Sequence, residues 1–373
     1  VKTLRTIAAL VPLLLAAVGP ASGHDLTFTD TVVVFKTDGT YQVDMTCDLD
    51  ALALGASPEV SSELLANELR SLSDEELEAE IEDLRQYFLR RVRVIFDGEA
   101  AAPAVSFPDR GTPIADEAEE PTVLGLTARL EGVIPEGASE FQFRASRSFP
   151  LVHLTVLDQQ SAAGVRTILE RGGESQAFVL GEPLQPPDRM TVAGQYLILG
   201  FWHIIPEGID HILFVLGLFL LSARLAPLLW QITAFTLAHT VTLALSTFGV
   251  VSISPGIVEP LIALSIAYVA IENVLTDRLE PWRPAVVFAF GLLHGLGFAG
   301  VLRELGLPEQ EYLTALLTFN AGVELGQLAV IVLALLAVGW FRDRAWYRRR
   351  IVIPCSLAIA TVGLYWAVER AFF

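Results

Sequence analysis

Two kinds of hydrophobic pattern divide the chain. From Leu26 to Asp50 apolar and polar residues alternate, as in Thr31-Val-Val-Val-Phe35 and Tyr41-Gln-Val-Asp-Met45 around the turn Thr37-Asp-Gly-Thr40, which predicts a β-hairpin. The period then changes. Ser73-Asp-Glu-Glu76 is a capping box, and Leu77, Ile81, Leu84, Tyr87, Phe88 and Val92 keep one apolar stripe at helical spacing, predicting a helix with an acidic, solvated outer face. Strand patterns return at Val92 to Phe96, before an Asp97-Gly98 turn, and at 124–134, 140–147 and 151–157. Residues 98–122, with several prolines and the run Asp116-Glu-Ala-Glu-Glu120, read as a loop. Together these elements predict a β-sandwich-like domain with a helical insertion between early strands.

Beyond Val192 the alternation gives way to six apolar segments, near 195–222, 227–248, 257–276, 283–303, 311–340 and 350–371. Each matches the roughly 20 residues a helix needs to cross a bilayer, so the second half is expected to be a polytopic all-α membrane domain of six transmembrane helices. The first 23 residues read as a signal peptide: Lys2 and Arg5, the apolar run Ile7 to Val18, then the small residues Ala21-Ser-Gly23. The expected organisation is therefore a signal peptide at 1–23, an exported domain at 24–192 and a membrane domain at 193–373. With the first domain exported, the first crossing runs inward. Arg224, Arg278, Arg283, Arg342, Arg344, Arg348, Arg349 and Arg350 then fall inside and only Arg303 and Arg370 outside, as the positive-inside rule requires. The expected location is a bacterial-type inner membrane.

Composition sharpens this division. Charged residues are 18% of the chain, against about 25% in soluble proteins, and the formal net charge is -18. Residues 24–195 hold 31 acidic and 13 basic side chains, residues 196–373 only 12 and 10. An acidic domain has no basic face to neutralise phosphates, so nucleic acid is excluded as a partner, and the lipid bilayer is the expected surroundings of the second half. Two cysteines, Cys47 and Cys355, lie one on each side of the boundary, and no disulfide framework is expected.

The membrane half carries ionisable residues where hydrocarbon makes them expensive, and such residues are functional candidates. The stretch Gly200 to Leu221 contains His203, Glu207, Asp210 and His211. On a continuous helix His203, Glu207 and His211 would share one face at i, i+4 and i+8, but Pro206 and Gly208 permit a kink, and a broken helix at membrane depth lines a cavity or an ion site. His239 lies near the centre of the second segment, His294 near the centre of the fourth, and Asn320 and Glu324 around the middle of the fifth. Asp210, His211, His239, His294 and Glu324 thus converge in depth from four helices. Imidazole with carboxylate ligands suits a borderline divalent ion such as nickel, cobalt, zinc or iron, and the lack of thiolates disfavours copper(I). His203 and Glu207 lie on the outer side of this level, as entrance ligands would, and Glu272 lies further in, a further step on a path with Asn320. Any one histidine alone reads equally well as a hydrogen-bonded packing residue, and Gly291, Gly295, Gly297, Gly300, Gly322 and Gly326 as small residues that let helices approach.

Three functions fit these residues: a metal permease, a zinc-dependent intramembrane hydrolase with Asp210 or Glu324 as general base, and a membrane protein whose exported domain binds or senses metal. The motifs His203-Ile-Ile-Pro-Glu-Gly-Ile-Asp210-His211, Phe235-Thr-Leu-Ala-His239, Gly291-Leu-Leu-His294-Gly-Leu-Gly and Phe319-Asn-Ala-Gly-Val-Glu324-Leu-Gly-Gln resemble the HupE/UreJ family of membrane proteins. The resemblance spans the membrane half. It implies a secondary permease for nickel, or for cobalt, with the metal handled at His203, Asp210 and His211.

Overall fold

The computed structural model describes residues 28–56, 60–111, 122–159, 163–182, 184–221, 224–298, 300 and 311–372. The expected signal peptide, residues 112–121 of the expected loop and Arg303 lie outside the described residues. The chain forms two compact units, which divide between Pro187 and Asp188.

The first unit is rich in sheet. β1 (Phe28–Phe35) and β2 (Thr40–Thr46) pair antiparallel, with Phe35 opposite Tyr41, around a turn in which Gly39 takes φ 82°. Three helices follow: α1 (Leu49–Leu54), α2 (Ser62–Ser71) and α3 (Asp74–Arg91). α3 starts at the capping box, where Ser73 Oγ accepts the Glu76 N–H at 3.3 Å and the Glu76 carboxylate accepts the Ser73 N–H at 2.9 Å. α1 and α2 have no counterpart in the sequence reading, because six and ten residues are too few to display a helical period clearly. The remaining strands are β3 (Val92–Phe96), β4 (Glu99–Ala100), β5 (Ala104–Ser106), β6 (Thr127–Val133), β7 (Glu140–Ala145), β8 (Leu151–Asp158), β9 (Ala163–Leu169) and β10 (Phe178–Val179).

They form a six-stranded sheet in the order β5-β6-β2-β1-β8-β9 and a four-stranded sheet in the order β10-β7-β3-β4. The alternate apolar residues of both sheets enter one core, where Phe35 meets Phe141 at 5.0 Å and Tyr41 meets Phe96 at 5.3 Å between ring centroids. Asp50, 2% exposed, accepts the N–H groups of Val123 and Leu124, both at 2.8 Å, and so ties α1 to the chain entering β6. His153 bonds Asp30 at 2.9 Å between the parallel neighbours β8 and β1, a structural role. At the turn after β3, the Asp97 carboxylate accepts the Ser139 hydroxyl and the N–H groups of Ser139 and Glu140, and these bonds hold it below the usual carboxylate range.

The second unit is helical: α4 (Arg189–Trp202), α5 (Ile209–Leu221), α6 (Leu225–Thr247), α7 (Pro255–Leu275), α8 (Arg283–Gly297), α9 (Tyr312–Val338) and α10 (Ile353–Phe372). Among the described residues, four spans are long and apolar enough to cross a membrane, Leu225–Thr247, Pro255–Leu275, Tyr312–Phe341 and Arg348–Phe372. α5 and α8 are apolar but shorter, at 13 and 15 residues. The segment expected as one continuous crossing near 195–222 is two helices, α4 and α5, because the proline and glycine between them end the first.

Arginines bind several of these elements together at one end. Arg348 donates to the carbonyls of Asn273 and Val274, both at 3.1 Å, Arg342 donates to the Phe219 carbonyl at 3.2 Å, and Arg283 lies 3.4 Å from Glu272. The ends of α5 and α7 and the segments leading into α8 and α10 therefore share one level, with their basic residues clustered there.

Close helix contacts fix the rest. α4 packs on α9 so tightly that a Cβ on Gly200 would overlap the Phe319 carbonyl oxygen and one on Gly322 would overlap the Leu197 carbonyl oxygen. With little side-chain volume between them, backbones approach directly, the way small residues serve helix packing in hydrocarbon. Gly322→Ala inserts a methyl where a carbonyl already sits. It should destabilise the helical unit by about 1–3 kcal/mol, read as a lowered thermal midpoint in detergent; an unchanged midpoint would mean that the α4–α9 contact is slack.

Candidate metal centre

α4 begins at Asp188, whose carboxylate accepts the N–H groups of Met190 and Thr191 at 2.8 and 3.2 Å. It stops at His203, since Pro206 has no N–H to continue the ladder and Gly208 fits where a Cβ would overlap the His203 carbonyl oxygen. The bond from the Ile212 N–H to the Gly208 carbonyl, at 2.9 Å, then opens α5. This interruption changes the geometry expected from sequence. On a continuous helix His203 and His211 would stand about 12 Å apart along the axis; here their ring centroids are 4.8 Å apart. His203 is thus part of the core cluster and not an outer ligand above it.

Two further helices complete the cluster. α6 and α8 approach closely, since Cβ atoms at Gly291 and Gly295 would overlap backbone of Phe235 and His239. That contact brings His239 of α6 and His294 of α8 to one level, both fully buried. His211 lies 6.0 Å from His239 and 4.8 Å from His294 by ring centroids. One ring nitrogen from each of His203, His211 and His239 lies within 4.8 Å of the others. His294 stands behind His211, its Nδ1 at 3.4 Å from His211 Nε2, and its Nε2 is 3.0 Å from the Ser265 hydroxyl on α7. His239 Nδ1 donates to Asn320 Oδ1 on α9 at 3.0 Å. Aromatic rings wall the site: Phe298 lies 4.0 Å from His203 and stacks on Phe319 at 5.0 Å with 8° between their planes.

The carboxylates proposed from sequence make bonds of their own. Asp210 is gripped by Arg370 through two bonds of 2.7 and 3.1 Å, with both side chains about 5% exposed. Being next to His211 in sequence turns it to another face of α5, toward α10. Glu324 accepts the Thr233 hydroxyl at 2.8 Å. It shares a helix face with Asn320 but lies one turn on, about 6 Å along α9, so Asn320 and not Glu324 meets the histidines. Glu272 faces Arg283, and Glu207 is half-buried in the interruption itself.

Ser265, Arg283 and Arg370 were not singled out as site residues by sequence. Ser265 is a lone hydroxyl in an apolar run, the kind of small polar residue that bonds across membrane helices, and that was its available signal. Arg283 and Arg370 read as flanking charges because their positions sit near segment ends, yet Arg283 is 1% exposed.

Three imidazoles offer, in their neutral form, a donor set for a borderline divalent cation. Nitrogens sharing a tetrahedral ion at about 2.05 Å are roughly 3.3 Å apart, so the rings need draw in by on the order of 1 Å to share one. Among known proteins, the family model described as HupE / UreJ protein matches residues 182–370. Searches of curated proteins and of solved structures found no match.

The Asp210–Arg370 pair makes its own prediction. Breaking a buried pair leaves a charge without compensation, so Arg370→Met should cost about 3–5 kcal/mol, whereas Asp210→Leu combined with Arg370→Met should recover most of it. Thermal unfolding of the three proteins in detergent checks this, and a double variant no more stable than the single one would contradict it.

Proposed function

The chain belongs to the HupE/UreJ family, and from that premise we propose that it carries a divalent transition metal, nickel or cobalt, across a bacterial-type inner membrane. In this reading the helical unit crosses six times, α4 and α5 together forming the first crossing, and the sheet-rich unit is an exported β-sandwich-like domain. The arginines clustered at one end of the helical unit mark the cytoplasmic side under the positive-inside rule.

The observation that carries the proposal is the gathering of His203, His211 and His239, all buried, from two sides of a helix break and from a third helix. A group of neutral nitrogen ligands in an apolar wall is costly to maintain for packing alone, and it matches the ligand preference of nickel, cobalt and zinc. A helix break at the binding level gives the site a hinge, which a carrier needs in order to open first to one side and then to the other. The hydrolase reading loses support for a specific reason. Its general base was to be Asp210 or Glu324, and these carboxylates are committed to Arg370 and Thr233.

Replacing His203, His211 or His239 with alanine should weaken nickel binding by more than the roughly 10–100-fold that changes in outer-shell partners cost, and pairs of replacements should add little to single ones. Glu324→Gln should leave affinity within a few fold. Equilibrium dialysis of the purified protein measures both, and strictly additive small losses would reduce the histidines to packing residues.

Protons compete with the ion for the same imidazole nitrogens, so nickel affinity should fall as pH is lowered. Uptake by proteoliposomes supplies the remaining test: wild-type protein that binds nickel yet moves none under any imposed ion gradient would rule out transport.

A further inference from the structure

We propose that Ser265 is a positioning residue for this site, acting through His294 to fix which nitrogen of His211 faces the ion. The inference rests on the reading of His203, His211 and His239 as metal ligands, but its geometry is independent of which ion binds. Ser265 lies on α7, 1% exposed, and its hydroxyl donates to the Ile262 carbonyl at 2.7 Å. A hydroxyl has a single proton to give. With that proton directed to Ile262, its oxygen is assigned as the acceptor in the 3.0 Å contact with His294, which puts the proton of that bond on His294 Nε2.

The consequence passes along the chain of rings. A neutral His294 protonated on Nε2 keeps its lone pair on Nδ1, and that lone pair faces His211 Nε2 at 3.4 Å. His211 in turn carries its proton on Nε2 and presents the lone pair of Nδ1. One hydroxyl, hydrogen-bonded to its own helix, thus selects a tautomer two residues away in space.

Asn320 does the same for His239 with the opposite result. Its amide nitrogen donates to the Leu316 carbonyl at 2.9 Å, so the amide oxygen is the atom facing His239 Nδ1 at 3.0 Å. Flipping the amide would set two carbonyl oxygens against each other, which assigns its orientation. An amide oxygen only accepts, so His239 holds its proton on Nδ1 and presents Nε2. The site therefore uses His211 through Nδ1 and His239 through Nε2, each held by a partner on a different helix. Partners of this kind orient metal-binding histidines and set their basicity.

Solid-state NMR of metal-free protein, labelled with 15N at histidine and held in lipid bilayers, reads the protonated and unprotonated nitrogen of each ring. The expected spectrum has the lone pair of His211 on Nδ1 and that of His239 on Nε2. Ser265→Ala should convert the His211 and His294 signals to tautomer mixtures, leave His239 unchanged and weaken zinc binding about 10–100-fold; Ser265→Thr, which retains a hydroxyl, should restore both. A wild-type spectrum with the His211 proton on Nδ1, or a Ser265→Ala protein with wild-type histidine signals, would overturn the proposal. If Ser265→Ala does not fold, the wild-type spectrum decides alone. Protein that shows the expected tautomers but binds neither nickel nor zinc would remove the metal reading and leave the relay standing, and metal binding with the opposite tautomers would do the reverse.

Discussion

The interruption between Trp202 and Ile209 is the constraint on which the helical unit depends. Proline and glycine there stop one helix and start another, and the turn between them folds His203 back beside His211. Ending a helix in an apolar environment leaves backbone groups that must find partners, which is tolerated where protein surrounds them. Here the surroundings are supplied by α9, whose Gly322 sits directly against the backbone of Leu197 and Phe201 on α4 and whose Gly326 leaves room for Ile204 of the interruption. Break and glycines are thus one device: the first creates the juxtaposition of imidazoles and the second gives it room.

Two ion pairs manage charge within the helical unit. Asp210 and Arg370 neutralise each other within the apolar unit, and Arg283 does so with Glu272. Neither pair is a strong net contributor to stability, because desolvation offsets most of the attraction. Their effect is positional. Asp210 opens α5 and Arg370 closes α10, so their bond pins the helix that carries His211 to the last helix of the chain. The histidines lie among aromatic rings, and their hydrogen bonds include those of His239 to the Asn320 amide, of His294 to the Ser265 hydroxyl and of His294 to His211.

Much of this arrangement was legible in the sequence because it depends on local rules. The hairpin of β1 and β2, the capped start of α3 and the apolar segments beyond Val192 follow from period and capping, which act over a few residues. The histidines were recognisable because hydrocarbon makes each of them conspicuous. What could not be read was facing. His203 and His211 meet only because the chain turns between them, and Asp210 points away from its neighbour His211 because consecutive residues on a helix leave it about 100° apart. The partner of Asp210 lies 160 residues on, and no spacing rule connects them. The short helices α1 and α2 escaped for a different reason, since a pattern of six to ten residues does not distinguish one period from another.

The imidazoles of His203, His211 and His239 bring no negative charge of their own. Any dication that passes through a site they form carries both charges across the full membrane field, unlike an ion held between two carboxylates, which would cross as a neutral complex. Under the proposed transport, movement through such a site would be electrogenic, and a potential of 100 mV would contribute about 4.6 kcal/mol for two charges. In that transport the membrane voltage would favour accumulation on the negative side.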